Sequence, residues 1–138
     1  MTQIFGRPRP LDVRLSVEDG VCTVETRTDG PLSTSKSWEF GIEIARAQSG
    51  NGSILIRCRF EPTRANWVDV LDEHGIVLRA FEDVNGKILH NSNHVTFIFD
   101  ATAIDLPEPN ARVRAWSRDE GSAPTDADYT DWAFAFTS

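Results

Sequence analysis

The sequence predicts an all-β protein, an antiparallel two-sheet β-sandwich of the immunoglobulin-like or jelly-roll type. Apolar and polar residues alternate with a period of two along most of the chain, and helical periodicity is almost absent. Turn signals rich in glycine, proline, asparagine and aspartate separate about ten such runs. Each run has one apolar face, and two sheets packed face to face would bury all of these faces. A closed β-barrel is the alternative, disfavoured because the strands are short and the loops uneven.

Length and composition are those of one soluble domain. The chain has 138 residues, enough for a hydrophobic core, and is 40% hydrophobic and 25% charged. We expect a single domain over residues 1–138, with residues 1–10 as an extended N-terminal segment.

The first half of the chain contains three clear alternating runs. They read "LDVRLSV" at 11–17, "WEFGIEIARA" at 38–47 and "ILIRCRF" at 54–60. The "EDG" turn at 18–20 follows the first run and leads into another strand. The alternation predicts that these positions face the core: Leu11, Val13, Leu15, Val17, Trp38, Phe40, Ile42, Ile44, Ile54, Ile56, Cys58 and Phe60.

The next segment, "DVLDEHGIVLRAF" at 69–81, raises the question of an acid/base cluster. Both flanks are strand-like, Asp72 can bond its own backbone, and Gly75 can take a positive φ. We therefore interpret Asp72, Glu73 and His74 as a hairpin turn. The Asn-Gly pair in "VNGK" at 84–87 predicts a second hairpin.

Two further runs complete the predicted core. "HVTFIFD" at 94–100 turns Val95, Phe97 and Phe99 inward. "DWAFAFT" at 131–137 is expected to turn the aromatic residues inward past two alanines, namely Trp132, Phe134 and Phe136.

The strongest candidate for a binding surface is "ARVRAWSRDEG" at 111–121. Val113 and Ala115 are inward, so the opposite face carries Arg112, Arg114, Trp116 and Arg118. Arginine and tryptophan stack through cation–π contacts and are common in binding hot spots. Together with Arg57 and Arg59 they predict a basic patch. The alternative is an exposed face whose arginines pair with Glu39 and Glu43.

Trp67 is a second candidate. It follows the polar "EPTRAN" loop at 61–66 and is placed to stack on a sugar ring or a protein partner.

The stretch "LPEPNARVRAWSRDEGSAPT" at 106–125 resembles the region around the sixth strand of fibronectin type III and related immunoglobulin-like modules. In those modules a loop leads into an alternating strand that a glycine-containing polar turn follows. The resemblance implies a sandwich with a non-catalytic adhesive or recognition role, and it transfers no site residues. The tyrosine expected near the start of that strand is missing, because Asn110 and Ala111 stand there.

His90 and His94 flank a three-residue loop and are the candidate metal ligands. In a hairpin of that length they would stand opposite each other and could share a weakly held divalent metal. The sequence identifies no third ligand for such a metal site. The alternative to a metal site is that both histidines are solvated residues of a turn. The acidic loop "TDADYTD" at 125–131 lacks the glycine and glutamate of an EF-hand. The sequence implies no other cofactor.

Cys22 and Cys58 are two cysteines in strand-like runs. We interpret them as reduced core thiols, with a single disulfide between strands as the alternative.

Charge and hydropathy bear on partners and location. A net charge of −7 disfavours nucleic-acid binding, and no apolar stretch is long enough for a membrane helix. The N-terminus has no apolar secretory region, so we expect a cytoplasmic protein, although a leader removed earlier would leave no trace. Phosphate-binding, nucleophile-elbow and zinc-protease motifs are absent.

These observations favour a non-catalytic binding or assembly module that recognises a protein or glycan partner, or a second copy of itself, through a sheet face and loops. One alternative is an enzyme whose pocket gathers His90 or His94 with Asp69, Asp72 or Asp100. Another is a structural subunit whose edge strands pair between copies.

Overall fold

The structure is a computed structural model, and its strands form two sheets. It describes these residues: 8–30, 37–45, 53–60, 65–72, 74, 76–91, 93–101, 111–119, 129–134 and 136–137. The strands and the 3₁₀ turn η1 follow in this order: β1 Pro10–Glu18, β2 Val21–Thr28, β3 Trp38–Ala45, β4 Ile54–Phe60, β5 Ala65–Leu71, β6 Val77–Ala80, η1 Phe81–Val84, β7 Lys87–His90, β8 His94–Asp100, β9 Arg112–Asp119, β10 Ala133–Phe134 and β11 Phe136–Thr137.

The five-stranded sheet has the order β11-β1-β2-β8-β7, and the six-stranded sheet has the order β10-β9-β3-β4-β5-β6. Neighbouring strands are antiparallel except β1 and β11, which pair in parallel. The described strands therefore confirm a largely antiparallel two-sheet architecture, and they do not close into a single barrel.

The core lies between the sheets and follows the predicted alternation. Trp38 stacks on Phe60 with ring centroids 4.6 Å apart, which joins β3 to β4 within one sheet. Phe40 meets Phe97 at 6.1 Å, which joins the two sheets. Because each aromatic side chain buries a large area and interlocks with its neighbours, this cluster supplies much of the stabilisation of the fold.

Leu11 departs from the prediction. It is 53% exposed, whereas Val13, Leu15 and Val17 are buried. The pairing of β1 with β2 shifts between Pro10 and Asp12. A bulge adds one residue to one strand, so the alternation before it no longer matches the alternation after it.

The predicted "VNGK" hairpin is also wrong. Asn85 and Gly86 end η1: Asn85 has a φ of 56°, and the Gly86 amide donates to the Phe81 carbonyl at 3.0 Å. The flanking strands β6 and β7 belong to different sheets. The Asn-Gly pair therefore serves a crossover, in which buried Phe81 packs against Phe97 and Phe99 across the end of the sandwich.

The "DEHG" hairpin is confirmed, because β5 and β6 pair in antiparallel fashion on either side of it. In the part of the chain that the structure describes, no helix has the length and apolar character needed to cross a membrane.

Both cysteines are free and buried, in accordance with the prediction of core thiols. Cys22 lies in β2 and Cys58 in β4, and both are free thiols, so the disulfide alternative is wrong. Burial raises the pKa of each thiol to about 12, because the charged thiolate is poorly solvated in the core.

We expect neither thiol to react with Ellman's reagent in the native protein at pH 8, because both the reagent and the thiolate require the core to open. Both thiols should react within the mixing time once the chain is unfolded in guanidinium chloride. Labelling of the native protein at the rate of a free thiol would contradict the burial of these residues.

Candidate functional site

The outer face of the six-stranded sheet carries a network of ion pairs. Antiparallel register places Arg118 opposite Glu39 and Arg114 opposite Glu43, and it places Arg57 opposite Asp69. These six side chains, Glu39, Glu43, Arg57, Asp69, Arg114 and Arg118, we call the arginine–carboxylate network. Its positions alternate along the strands with core residues, so burial of the core fixes the network on the outer face.

The geometry of the network is that of partly buried pairs. Two Arg118 nitrogens donate to the two Glu39 oxygens at 3.1 and 3.2 Å. Arg114 donates to Glu43 at 2.8 Å. Arg57 bridges Glu39 and Asp69 at 3.5 Å each. The arginines therefore pair across strands as the alternative interpretation expected, and each partly exposed pair adds modest stability.

Trp116 lies within this network and is only 3% exposed. The register sets it opposite Gly41, and a Cβ at Gly41 would lie 2.3 Å from Cζ2 of the indole. The indole therefore rests on a backbone that has no side chain. Trp116 was expected to be exposed, and this expectation is wrong. The indole lies on the outer face as expected, but it is buried because it fills the space above Gly41.

The segment 129–134 runs beside β9 and forms the edge of the sheet. Tyr129 makes an isolated bridge with Trp116, the Thr130 amide donates to the Ala115 carbonyl at 2.8 Å, and Ala133 pairs with Val113. Thr130 Oγ1 also accepts from the Ala115 amide at 3.0 Å. Side chains from this segment thus reach the outer face next to the arginines.

The result is a half-exposed stack that alternates arginine and aromatic rings. The Arg114 guanidinium lies 3.9 Å from the Tyr129 ring centroid and 4.6 Å from that of Trp132. The Arg112 guanidinium lies 4.7 Å from the same Trp132 ring. We call these four residues, Arg112, Arg114, Tyr129 and Trp132, the arginine–aromatic cluster.

Arg112 is the exposed member of the cluster. Arg114 is held by Glu43, but among the described residues no carboxylate pairs with Arg112. Its guanidinium stacks on Trp132, which leaves N–H donors directed along its own plane for another acceptor.

Trp132 does not face the core as the sequence predicted. Ala133 is the residue that packs against the core, opposite Val113, and the alternation then turns Trp132 outward. The segment is held by backbone pairing to β9. The register of this pairing, which depends on a strand distant in sequence, decides which alternate residues of the segment face inward. Sequence reasoning missed Tyr129 and Trp132 for this reason. The two alanines in "DWAFAF" were a signal in the sequence, because either the alanines or the aromatic residues of this segment can face a core.

Trp67 lies in β5, but its side chain falls outside the described part of the chain. Its role in binding stays a prediction. Asp126 and Asp128 of the acidic loop also fall outside the described residues, and Asp131 is exposed.

The structure does not bring His90 and His94 together. His90 pairs with Val95, so it shares the core-side face of β8 and its ring meets Phe60 at 5.4 Å. His94 pairs with Arg27 and lies on the outer face. The register differs from the expected hairpin by one residue, since His90 lies opposite Val95 and Asn91, whose amide donates to the His94 carbonyl at 3.1 Å, lies opposite His94. Among the described residues, no group of three or more histidines, cysteines or carboxylates could hold a metal ion.

The outer face of the five-stranded sheet holds a shallow depression of about 320 Å³. It lies over β1, β2 and β8, and its lining includes His94, Arg14 and Glu25. An exposed ion pair crosses it, with Arg27 2.7 Å from Asp12.

The carboxylates proposed for a catalytic pocket lie apart from this depression. Asp69 pairs with Arg57 on the other sheet, and Asp100 accepts from Asn85 at 2.7 Å. The structure does not gather them with His90 or His94.

Asp72 organises the β5–β6 turn. Its Oδ1 accepts from the amides of His74 at 2.8 Å and Ile76 at 3.0 Å. The bond from Ile76 is the largest cause that lowers the pKa of Asp72, and the amide and charge of His74 lower it further. Asp72 is therefore a hydrogen-bonded residue of the turn that leads into β6.

No protein-family model matches the chain, and no curated protein matches it.

We expect Gly41→Ala to destabilise the protein by about 1–3 kcal/mol, because the new methyl group collides with the Trp116 indole. Gly30→Ala is the matched control, since no atom of the described residues lies within 4 Å of that Cβ. Urea unfolding of both variants measures the difference. In a Trp116→Leu background the cost of Gly41→Ala should shrink, and an unchanged cost would show that the indole is not the obstacle.

We also expect acid to loosen the turn at Asp72. The pKa is lower in the folded chain, so this carboxylate contributes stability above the unfolded pKa, which is roughly 3.9, and the contribution is lost as pH falls through the folded value. The protection factors of the His74 and Ile76 amides, measured by NMR, should fall as pH falls through that window. Asp72→Ala should show the lower protection already above the window and should match the wild-type protein below it, and protection that survives above the window in this variant would contradict the assignment.

Proposed function

We propose that the protein is a non-catalytic binding module that recognises an acidic segment of a protein partner through the arginine–aromatic cluster. The observation that carries this proposal is Arg112, which is exposed, stacked on Trp132 and without a carboxylate partner among the described residues. Tryptophan, tyrosine and arginine dominate binding hot spots because they combine large contact area with directed polar groups.

The composition of the cluster favours a carboxylate over a sugar as the contacting group. A sugar stacks on a bare aromatic face, but Arg112 and Arg114 already lie over the Trp132 ring, and Arg114 also lies over Tyr129. The part of the cluster that stays open to a partner is the edge of the Arg112 guanidinium, which carries its N–H donors. A planar fork of N–H donors matches a carboxylate in bidentate geometry, and stacking on the ring holds that fork in place.

The local charge supports the same partner. Among the strand residues whose side chains the structure describes, the outer face of this sheet carries five arginines, Arg57, Arg59, Arg112, Arg114 and Arg118, against three carboxylates, Glu39, Glu43 and Asp69. Five positive minus three negative charges leave an excess of two positive charges on a chain whose net charge is −7. An acidic segment is therefore attracted to this face and repelled by the rest of the surface.

We further propose that the fold is immunoglobulin-like, as the resemblance over 106–125 implies. The strand order supports this: β1-β2-β8-β7 corresponds to the order ABED, and β10-β9-β3-β4-β5 corresponds to GFC with the two added strands of a variable-type domain. Buried Trp38 on the third strand also corresponds to the tryptophan of such domains. Four features differ, since the disulfide and the corner tyrosine are missing, and β11 and β6 extend the two sheets beyond that strand order.

The proposal predicts that a glutamate-rich peptide binds the cluster, whereas a glutamine-rich peptide of equal length does not. NMR titration should shift the indole N–H resonance of Trp132, and added salt should weaken the effect. Arg112→Glu should lower the affinity about tenfold or more, because it removes a charged hydrogen bond and adds repulsion.

Lys87→Glu is the matched control, because it makes the same charge change at an exposed site on the other sheet. Equal losses for Arg112→Glu and Lys87→Glu would reduce the effect to net charge and would remove the cluster from the proposal. A panel of neutral disaccharides should leave the Trp132 resonance in place, and a sugar that shifts it more than the acidic peptide does would replace the proposed partner class.

A further inference from the structure

The Asn85–Gly86 pair, which follows η1 in the crossover between the sheets, is chemically reactive. In an asparagine–glycine pair the backbone nitrogen of glycine can attack the side-chain carbonyl of asparagine. Glycine favours this reaction because it has no side chain to shield its nitrogen. The attack closes a succinimide ring and expels ammonia, and water then opens the ring to aspartate or isoaspartate. The pair is therefore a candidate site of spontaneous modification.

The packing of the crossover requires both residues of this pair. A Cβ at Gly86 would overlap the ring of Phe81, which is buried against Phe97 and Phe99. Asn85 has a φ of 56°, in the left-handed region that asparagine tolerates better than most residues. A less reactive pair would have to displace the Phe81 ring or strain the backbone.

The native structure holds both reacting groups with other partners. The Gly86 amide donates to the Phe81 carbonyl at 3.0 Å. The side-chain Nδ2 of Asn85 donates to Oδ2 of Asp100 in β8 at 2.7 Å. Ring closure requires the Gly86 nitrogen to lose its proton and to approach Cγ of Asn85. The first hydrogen bond retains that proton, and the second holds the side-chain amide on β8, so folding opposes the reaction.

The product of the reaction conflicts with its surroundings. Conversion of Asn85 to aspartate replaces the N–H donor that faces Asp100 with an oxygen that cannot donate when it is ionised. Two carboxylates would then repel each other at this contact, and Glu82 and Asp83 of η1 lie nearby in sequence with the same charge. Isoaspartate also lengthens the backbone beside the residue that the Phe81 ring contacts.

We propose that Asn85 is a deamidation site, which the native crossover protects and which reacts when the crossover opens. The Gly86 nitrogen gives its proton to solvent and bonds to Cγ of Asn85. The bond from Cγ to Nδ2 breaks, and the nitrogen leaves as ammonia after it takes up a proton. Water then cleaves the ring on either side of the Gly86 nitrogen. The balance is one water consumed and one ammonia released, with no oxidation or reduction.

The reaction would make opening of the crossover irreversible. An exposed connection opens locally more often than the whole protein unfolds, and chemical change in the open state cannot be reversed by refolding. The modified chain then returns to a crossover that its new carboxylate destabilises. The arginine–aromatic cluster lies on β9 and the segment 129–134, so this proposal does not depend on the proposed function.

Peptide mapping by mass spectrometry tests the protection. The full chain is incubated at mildly alkaline pH, either native or in guanidinium chloride, and aspartate and isoaspartate at position 85 are measured over time. We expect Asn85 to react about tenfold or more slowly in the native protein, because the crossover must open first. The pair Asn51–Gly52 lies outside the described residues, and in the unfolded chain it gives the rate of the same dipeptide as an internal reference.

Asp100→Ala tests the hydrogen bond that holds the Asn85 amide. This variant should deamidate faster at Asn85 than the native protein does. Asp83→Ala is the matched control, because it removes the same charge from an exposed position in η1 and leaves the bond in place. Equal rates at Asn85 in the native and the unfolded chain overturn the proposal. So does an Asp100→Ala variant, shown to be folded by thermal unfolding, that reacts no faster than Asp83→Ala.

Asn85→Asp reproduces the aspartate product and tests its effect on stability. Its equilibrium constant for unfolding, measured in urea, should rise about threefold to tenfold, because a hydrogen bond is lost and a repulsion is added. Asn85→Asp combined with Asp100→Asn exchanges the two groups, so an amide again faces a carboxylate and most of the loss should be recovered. An Asn85→Asp variant as stable as the native protein, or an exchange that recovers nothing, contradicts the conflict with Asp100.

Discussion

The contact of Trp116 with Gly41 organises the outer face of the six-stranded sheet. The indole occupies the space that any side chain at position 41 would need, so it lies flat within the sheet surface. Arg118 then lies over the ring at 5.2 Å while it binds Glu39 on the neighbouring strand. On the other side, the bridge to Tyr129 sets the C-terminal segment along β9. The ion pairs and the arginine–aromatic cluster are both arranged around this one ring.

Burial of the Trp116 indole also costs free energy. The indole Nε1 is buried without a hydrogen-bond partner among the described residues. A buried polar group without a partner costs free energy, so the apolar contact of the ring must outweigh that loss. The ring contributes here as a large flat surface rather than as a donor. For that reason the proposed binding surface uses the ring of Trp132, which is half-exposed at the edge of the sheet, and not the buried ring of Trp116.

Alternation predicted most of the core because one-sided burial imposes a period of two, and Trp38, Phe40, Phe60 and Phe97 lie where it places them. The failures arose where a distant partner decides the register. A bulge opposite β2 exposes Leu11. Pairing with β9 decides that Ala133 and not Trp132 faces inward. The crossover between sheets turns Asn85-Gly86 into the end of a 3₁₀ turn, because Phe81 must reach the core. In each case a distant strand decides the local structure, and the residues of the segment itself do not reveal that strand. The residues of the arginine–carboxylate network could therefore be predicted from the sequence, whereas the arginine–aromatic cluster could not.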